Sequence, residues 1–256
     1  MSQSVSIQVV QGQLARTLNV LRQEGIGSLL GKSLRVPENI LKSVRCRRQL
    51  KSLNRDASIE ELVDFVYQCH GIAAIQIRSE LIQMLEVVQE RKPRTVVEIG
   101  TADGGTLLLL CCVAEKDATL ASIDLPGGKF GGGYSAWKIP LYQDFARKSQ
   151  KLHLLRGNSH SDAMFQNLVS VLSGKTIDFL FIDADHGYEG VRRDFQLYSP
   201  LVAKGGLIGF HDIAPTSPGG EYGVRQLWNE VKPAYKWREI IADPKQRGFG
   251  IGLLEI

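Results

Sequence analysis

The stretch that most constrains this chain is Thr95–Thr106, which reads TVVEIGTADGGT. Its apolar start is typical of a strand that is buried on both faces of a parallel sheet. The apolar run breaks at Gly100, and Gly104–Gly105 precede a second apolar run, LLLLCCVA, which predicts a helix. Glycines let the backbone approach a ligand closely, and the start of a helix offers unpaired N–H groups. The stretch therefore predicts a nucleotide-type pocket at the carboxyl end of the first strand.

Strand and helix patterns alternate through the rest of the chain. The predicted strands cover residues 95–99, 119–124, 152–156, 177–183, 205–211, 236–241 and 248–255. Further helices are predicted at residues 59–69, 75–90, 139–149, 162–172, 191–201 and 222–231. This alternation predicts an α/β fold with right-handed crossovers, a Rossmann-like doubly wound sheet of seven strands. The last two strands are expected to form an antiparallel hairpin at the sheet edge, so the sheet is mostly parallel.

The N-terminal segment differs in charge from the remainder. Residues 1–58 hold ten Lys/Arg against three Asp/Glu, whereas the whole chain has a net charge of +4. We therefore predict a basic helical extension at 1–58, with helical patterns at 13–30 and after Pro37, and a main domain at 59–256. The charges could bind anionic lipid or nucleic acid, or they could be solvated charges on helices that cap the domain or form a dimer. We favour the second interpretation, because no aromatic residues interleave the charges.

Composition narrows the class of protein further. The apolar fraction of 43% and the charged fraction of 23% are ordinary for a globular protein. No apolar run approaches the length of a membrane span, and the N-terminus lacks the pattern of a secretory signal. The four cysteines lack zinc or disulfide spacing, and adjacent Cys111 and Cys112 are expected to pack as small apolar residues. We therefore expect a cytoplasmic protein that forms a homo-oligomer, and residues 1–58 could contact a membrane surface peripherally.

The glycine stretch excludes two nucleotide classes. A dinucleotide-binding turn would show G-x-G-x-x-G, and a phosphate-binding loop would show Gly-Lys-Ser/Thr. Here Glu98 lies two residues before Gly100, and the next glycines are Gly104 and Gly105. A carboxylate in that place suits a cationic ligand better than a pyrophosphate.

Polar residues at the ends of the second and third strands extend the pocket. Asp124 could accept two hydrogen bonds from a ribose diol, or it could cap a turn. Asn158 and Ser159 lie where an adenine ring would be bound, although turn formation alone could explain them as well. The residues leave both alternatives open.

Taken together, the strand ends resemble those of the class I S-adenosylmethionine (SAM)-dependent methyltransferases over residues 75–256. EIGTADGG matches the glycine motif of that class, SIDL the ribose-binding acid and FIDADH the fourth strand. The resemblance implies SAM as the cofactor, bound by Glu98, Gly100, Thr101, Gly104, Gly105, Asp124, Asn158, Ser159 and Asp183.

A narrower resemblance concerns the acceptor of the methyl group. FIDADHGYEG and GLIGFHD are similar to the cation-dependent O-methyltransferases, which act on small catechols and on sugars of natural products. GGKFGGGY, at residues 127–134, resembles the mobile loop of the sugar-modifying branch. These motifs imply methyl transfer to a hydroxyl of a small acceptor such as a glycosyl metabolite.

The ends of the fourth and fifth strands carry candidate metal ligands and a candidate base. Asp183 and Asp212 would be neighbours if these strands pair, and carboxylates suit a hard cation such as Mg²⁺. The resemblance places the general base at His186, and a helix-capping or surface histidine is the alternative. His211 could be a third ligand, favouring Mn²⁺ or Fe²⁺, or it could contact the substrate. Asp185 is a further candidate ligand.

Two other functions compete with O-methylation. A SAM-binding scaffold without methyl transfer would keep the cofactor motifs, but the acid and histidine residues argue against it. Nucleic-acid methylation would rest on the basic N-terminal segment alone, so we expect no nucleic-acid partner.

Overall fold

The computed structural model of the protein describes residues 42–127, 133–215 and 223–256. The chain divides into two compact units, Met1–Arg45 and Cys46–Ile256. The helical pattern at residues 13–30 and residues 128–132 of the glycine loop lie outside the described ranges. The domain boundary near residue 58 stays a prediction.

Seven strands of the described chain form one sheet. They are β1 (Thr95–Ile99), β2 (Thr119–Asp124), β3 (Lys151–Arg156), β4 (Ile177–Ile182), β5 (Val202–His211), β6 (Lys236–Ile240) and β7 (Ile251–Glu255). Their order is β3-β2-β1-β4-β5-β7-β6. The first five strands are parallel, and β7 runs antiparallel to both β5 and β6. The predicted fold class is confirmed, including its antiparallel C-terminal hairpin.

The helices of the described ranges connect and cover these strands. They are α1 (42–52), α2 (Ile59–Gln68), α3 (Arg78–Glu90), α4 (Gly105–Val113), α5 (Ile139–Gln143), α6 (Asp162–Leu172), α7 (Tyr188–Tyr198) and α8 (Val224–Val231). The helix predicted at 139–149 ends early, at Gln143. Beyond it, the guanidinium of Arg55 donates hydrogen bonds to the carbonyl oxygens of Asp144 and Phe145. Arg55, which is distant in sequence, therefore binds carbonyl groups that would accept intrahelical hydrogen bonds if α5 were longer.

The central strands β1, β2 and β4 are buried on both faces. Along β4, Phe179 and Phe181 pack into a core cluster with α2 to α5, whereas Leu180 and Ile182 pack into a second cluster with α6, α7 and α8. Successive side chains of a strand point to opposite faces, so a strand between two helical layers is apolar throughout. This burial explains the unbroken apolar runs in the sequence.

The cysteines are buried free thiols. Cys111 and Cys112 lie in α4, all of whose residues are buried, so they pack as small apolar side chains as predicted. The Sγ atoms of Cys46 and Cys69 lie 2.9 Å apart. Within the described ranges, no helix is both long and apolar enough to cross a membrane.

Candidate active site

In the turn after β1, every second residue from Gly100 to Gly104 has a positive φ angle, in the left-handed region of backbone conformation. The φ angles are +94° at Gly100, +43° at Ala102 and +78° at Gly104. A Cβ atom at Gly100 would lie 1.9 Å from the carbonyl oxygen of Asp183, at the end of β4. Only glycine permits both this conformation and this close approach. The turn therefore lies directly against the strand end that carries the first candidate metal ligand.

The segment before α3 lies against the same turn. The Gly105 N–H donates to the Ala73 carbonyl oxygen at 2.9 Å. Further along, Gln76 donates from Nε2 to Oδ2 of Asp183 at 2.5 Å, and it accepts from the Thr106 hydroxyl at 3.2 Å. The sequence analysis did not anticipate Gln76, which connects α4 to the end of β4.

Glu98 is a buried carboxylate in the middle of the sheet. Its side chain is 1% exposed, and neither oxygen has a hydrogen-bond partner among the described residues. Burial, followed by the nearby charge of Asp183, raises the pKa of Glu98 well above its ordinary value. A buried carboxylate without donors is costly, so its surroundings suit a donating or cationic ligand.

Asp124 is tied to the turn after β1. Its Oδ2 accepts from the Thr101 N–H at 3.3 Å and from the Ala102 N–H at 2.9 Å. Burial raises the pKa of Asp124, whereas these backbone donors lower it. Asp124 is therefore a cap of this turn, and its contact with a ribose stays a prediction.

The β3–α6 loop carries the residues predicted to lie at adenine. Oδ1 of Asn158 accepts from the His160 N–H at 2.9 Å, and the Ser159 carbonyl oxygen accepts from the Tyr198 hydroxyl at 2.6 Å. His160 itself lies with Nε2 3.3 Å from Oδ1 of Asp194, whose side chain is fully buried in α7. The loop is thus fixed to α7, and its adenine contacts stay predictions.

Asp183, His186 and Asp212 come together at the ends of β4 and β5. Each offers a ligand atom, and these atoms lie within 4.8 Å of one another. Nδ1 of His186 lies 2.6 Å from Oδ2 of Asp212, and Oδ1 of Asp212 accepts from the Phe249 N–H at 3.0 Å. Two carboxylates and one imidazole at this spacing fit a divalent cation.

His211 lies behind the two acids. Its Nδ1 is 3.1 Å from Oδ1 of Asp183 and 3.6 Å from Oδ1 of Asp212. Burial opposes protonation of the ring, but the two carboxylates outweigh it and raise the pKa of His211 to about 9. A protonated imidazole has no lone pair for a metal, so in this state His211 acts as a buried cation. Its role as a third ligand stays a prediction.

Asp185 has a local role. Its Oδ1 accepts from the Gly187 N–H at 2.8 Å, and a Cβ atom at Gly190 would collide with its carboxylate. The side chain therefore caps the start of α7.

Comparison with known proteins finds a methyltransferase domain in part of the chain. A family model described as a methyltransferase domain matches residues 97–213. An uncharacterised protein of Acanthamoeba polyphaga mimivirus is 35% identical over 139 residues, which are 53% of this chain and 59% of that protein. An uncharacterised protein of Sinorhizobium fredii is 26% identical over 168 residues, 64% of this chain and 18% of that protein. The chain thus spans less than two thirds of both curated relatives.

Solved structures share the fold. The O-methyltransferase of Bacillus cereus, crystallised with S-adenosylhomocysteine (SAH), superposes with a TM-score of 0.52 at 16% identity, covering 78% of this chain and 91% of that one. The calicheamicin methyltransferase CalS11 superposes with a TM-score of 0.53 at 13% identity, covering 86% and 93%. These matches confirm the predicted resemblance to methyltransferases: residues 97–213 match a methyltransferase domain, and the solved methyltransferase structures share the fold.

The approach of Gly100 to Asp183 predicts the effect of adding a methyl group. Gly100→Ala should lose more than about 3 kcal/mol of unfolding free energy, because left-handed strain adds to a backbone collision. Gly174→Ala is the matched control, since Gly174 has a φ of +80° and open space around it. It should lose only about 1 kcal/mol. Urea unfolding measures both, and equal losses would contradict the close approach.

The contact between His160 and Asp194 predicts a pH-dependent stability. The hydrogen bond to Asp194 raises the pKa of His160 above 6.5, while burial opposes the rise. Because the folded pKa exceeds the unfolded value, the stabilisation is complete below the unfolded pKa and is lost as pH rises through the folded pKa. The loss of unfolding free energy in His160→Gln should therefore shrink as pH rises above 6.5 and through the raised pKa of folded His160. The same substitution in an Asp194→Asn background should show no such trend, and a pH-independent loss in the wild-type background would refute the coupling.

Proposed function

We propose that this protein transfers the methyl group of SAM to a hydroxyl oxygen of a small acceptor, assisted by a divalent cation and a histidine base. The observation that carries the proposal is the grouping of Asp183, His186 and Asp212 beside the turn at Gly100. In this arrangement a methyl donor on the turn would meet an acceptor held at the strand ends.

The surroundings of the turn support SAM as the donor. Glu98 is a buried carboxylate without hydrogen-bond donors among the described residues, and the positively charged amino acid end of SAM would supply them. Asp124, fixed on the turn, would face the ribose, and Asn158 and Ser159 would lie beside the adenine. The Bacillus cereus neighbour was crystallised with SAH, the product that SAM leaves after transfer.

The acids at the strand ends support a divalent cation. Asp183 and Asp212 would hold it through carboxylate oxygens, which Mg²⁺ prefers. When bound, such a cation lowers the pKa of an acceptor hydroxyl and orients it.

In this proposal His186 would remove the acceptor proton. If its Nδ1–H donates to Oδ2 of Asp212, Nε2 carries the lone pair that accepts a proton. The hydrogen bond to Asp212 raises the pKa of His186, although burial opposes this, and the ring becomes a stronger base. As the acceptor oxygen attacks, the O–C bond forms, the S–C bond breaks, His186 takes the proton and SAH leaves.

The acceptor follows from resemblance alone. CalS11 is a methyltransferase of calicheamicin, and the motif GGKFGGGY is similar to the sugar-modifying branch. We therefore propose a glycosyl or other small hydroxylated metabolite. Homo-oligomerisation, a cytoplasmic location and membrane contact by residues 1–58 remain predictions.

Substitution of the acids tests the proposal. Asp183→Asn and Asp212→Asn should each bind SAH as wild type does but lose at least about 100-fold in methyl transfer, because the cation site is broken. Asp185→Asn is the matched control, since an asparagine can still cap α7. Transfer is measured with methyl-labelled SAM on a panel of small glycosides and catechols.

Three results decide between the candidate functions. Full activity of wild type in excess chelator would refute the role of the cation. SAH binding without a labelled product from any acceptor would favour the scaffold. Equal loss in Asp185→Asn would show that the assay reports the integrity of α7 and not the site.

A further inference from the structure

Glu80 is a second buried carboxylate near the site, and the proposed chemistry does not use it. It lies in the first turn of α3 and its side chain is 0% exposed. It accepts three hydrogen bonds: from the Ala242 N–H at 2.9 Å, from Nε2 of Gln246 at 2.7 Å and from the Gly250 N–H at 2.9 Å. All three donors belong to the connection between β6 and β7, which lies more than 160 residues away in sequence.

The end of this connection is conformationally unusual. Gly248, Phe249 and Gly250, here called the 248–250 turn, have φ angles of +77°, +59° and +82°. A phenylalanine in the left-handed region costs about 1–3 kcal/mol and persists only where its surroundings hold it. Glu80 supplies part of that hold, because it binds the N–H group that follows Phe249.

The 248–250 turn also contacts the candidate metal ligand. The Phe249 N–H donates to Oδ1 of Asp212, and its carbonyl oxygen accepts from the Ala214 N–H at 2.8 Å. Asp212 is itself left-handed, with a φ of +63°. Its carboxylate is thus held between a backbone donor on Oδ1 and the ring of His186 on Oδ2.

We propose that Glu80 is a positioning residue, which holds the 248–250 turn so that the Phe249 N–H orients Asp212 for the cation and for His186. The inference rests on the proposed function, because it gives Asp212 a ligand's role. A buried carboxylate bound only by uncharged donors is costly to maintain. Altering a group that orients a metal ligand typically changes metal affinity 10- to 100-fold. Such a role would explain why a buried carboxylate is kept at this position despite its energetic cost.

Two substitutions separate position from charge. Glu80→Asp keeps the charge but withdraws the carboxylate from its three donors by about the length of one methylene. Glu80→Gln keeps the length and removes the charge. Glu86→Gln, on the exposed side of the same helix, is the control. Each variant is tested for Mn²⁺ affinity by electron paramagnetic resonance, for SAH affinity by calorimetry and for amide hydrogen exchange of residues 242–250 without metal.

Positioning predicts a specific set of results. Glu80→Asp should bind Mn²⁺ about 10-fold more weakly. Its exchange at residues 242–250 should be faster, and its SAH affinity should stay within about twofold of wild type. Glu86→Gln should match wild type in all three measurements. If Glu80→Asp binds Mn²⁺ as tightly as wild type does, the position of the carboxylate does not matter and the proposal is overturned. Unchanged exchange in Glu80→Asp overturns it as well.

A further variant covers the case in which Glu80→Asp does not fold. Gln246→Ala removes one of the three donors and leaves the carboxylate with its two backbone hydrogen bonds. It should still weaken Mn²⁺ binding by about threefold, a fraction of the full effect. Unchanged affinity there overturns the proposal. Wild-type protein that binds no Mn²⁺ would instead refute the cation site of the proposed function, whereas the exchange data still report whether Glu80 holds the turn.

Discussion

The close approach of the β1 turn to the end of β4 is the constraint on which the site depends. The Asp183 N–H donates to the Ile99 carbonyl oxygen at 2.8 Å, which continues the β1–β4 ladder one residue past the end of β4. A side chain at Gly100 would prevent that continuation. Because parallel strands end at one edge, this contact also fixes how far the cofactor turn lies from the acids. The proposed donor and acceptor regions are therefore set by one backbone contact and not by flexible loops.

The buried carboxylates at this edge of the sheet each need a group that compensates for their burial. Glu80, Glu98 and Asp124 are almost fully buried, and the protonated imidazole of His211 lies close to Asp183 and Asp212. Burial of so many carboxylates is unfavourable unless donors, protons or ligands compensate for it. Backbone N–H groups compensate at Glu80 and Asp124, and a high pKa does so at His211. Glu98 is left with no donor among the described residues, which is why it is the strongest indication of a cationic ligand.

Much of this site could be predicted from the sequence, because strand ends are visible there. Asp124 and Asp183 each stand at the end of an apolar run, and parallel pairing then brings them to one edge. Contacts between distant segments could not be predicted, since no local period connects Gln76 to Asp183 or Glu80 to Gly250. One signal was nevertheless present: Glu80 shares the helical spacing i, i+4, i+8 with Met84 and Val88, both buried. A charged residue on an apolar helix face predicts a specific polar partner.

Residues with a strained backbone lie mainly beside the carboxylates of the candidate site. Five non-glycine residues of the described ranges have a positive φ; Lys92 and Ser173 simply end α3 and α6, which is a common helix termination. The other three, Ala102, Asp212 and Phe249, surround the candidate site. Asp124 binds the N–H of Ala102, and Asp212 binds the N–H of Phe249. Each aspartate thereby stabilises a strained turn and has its own carboxylate plane fixed in return, so that the groups proposed to meet ribose and cation are oriented before any ligand arrives.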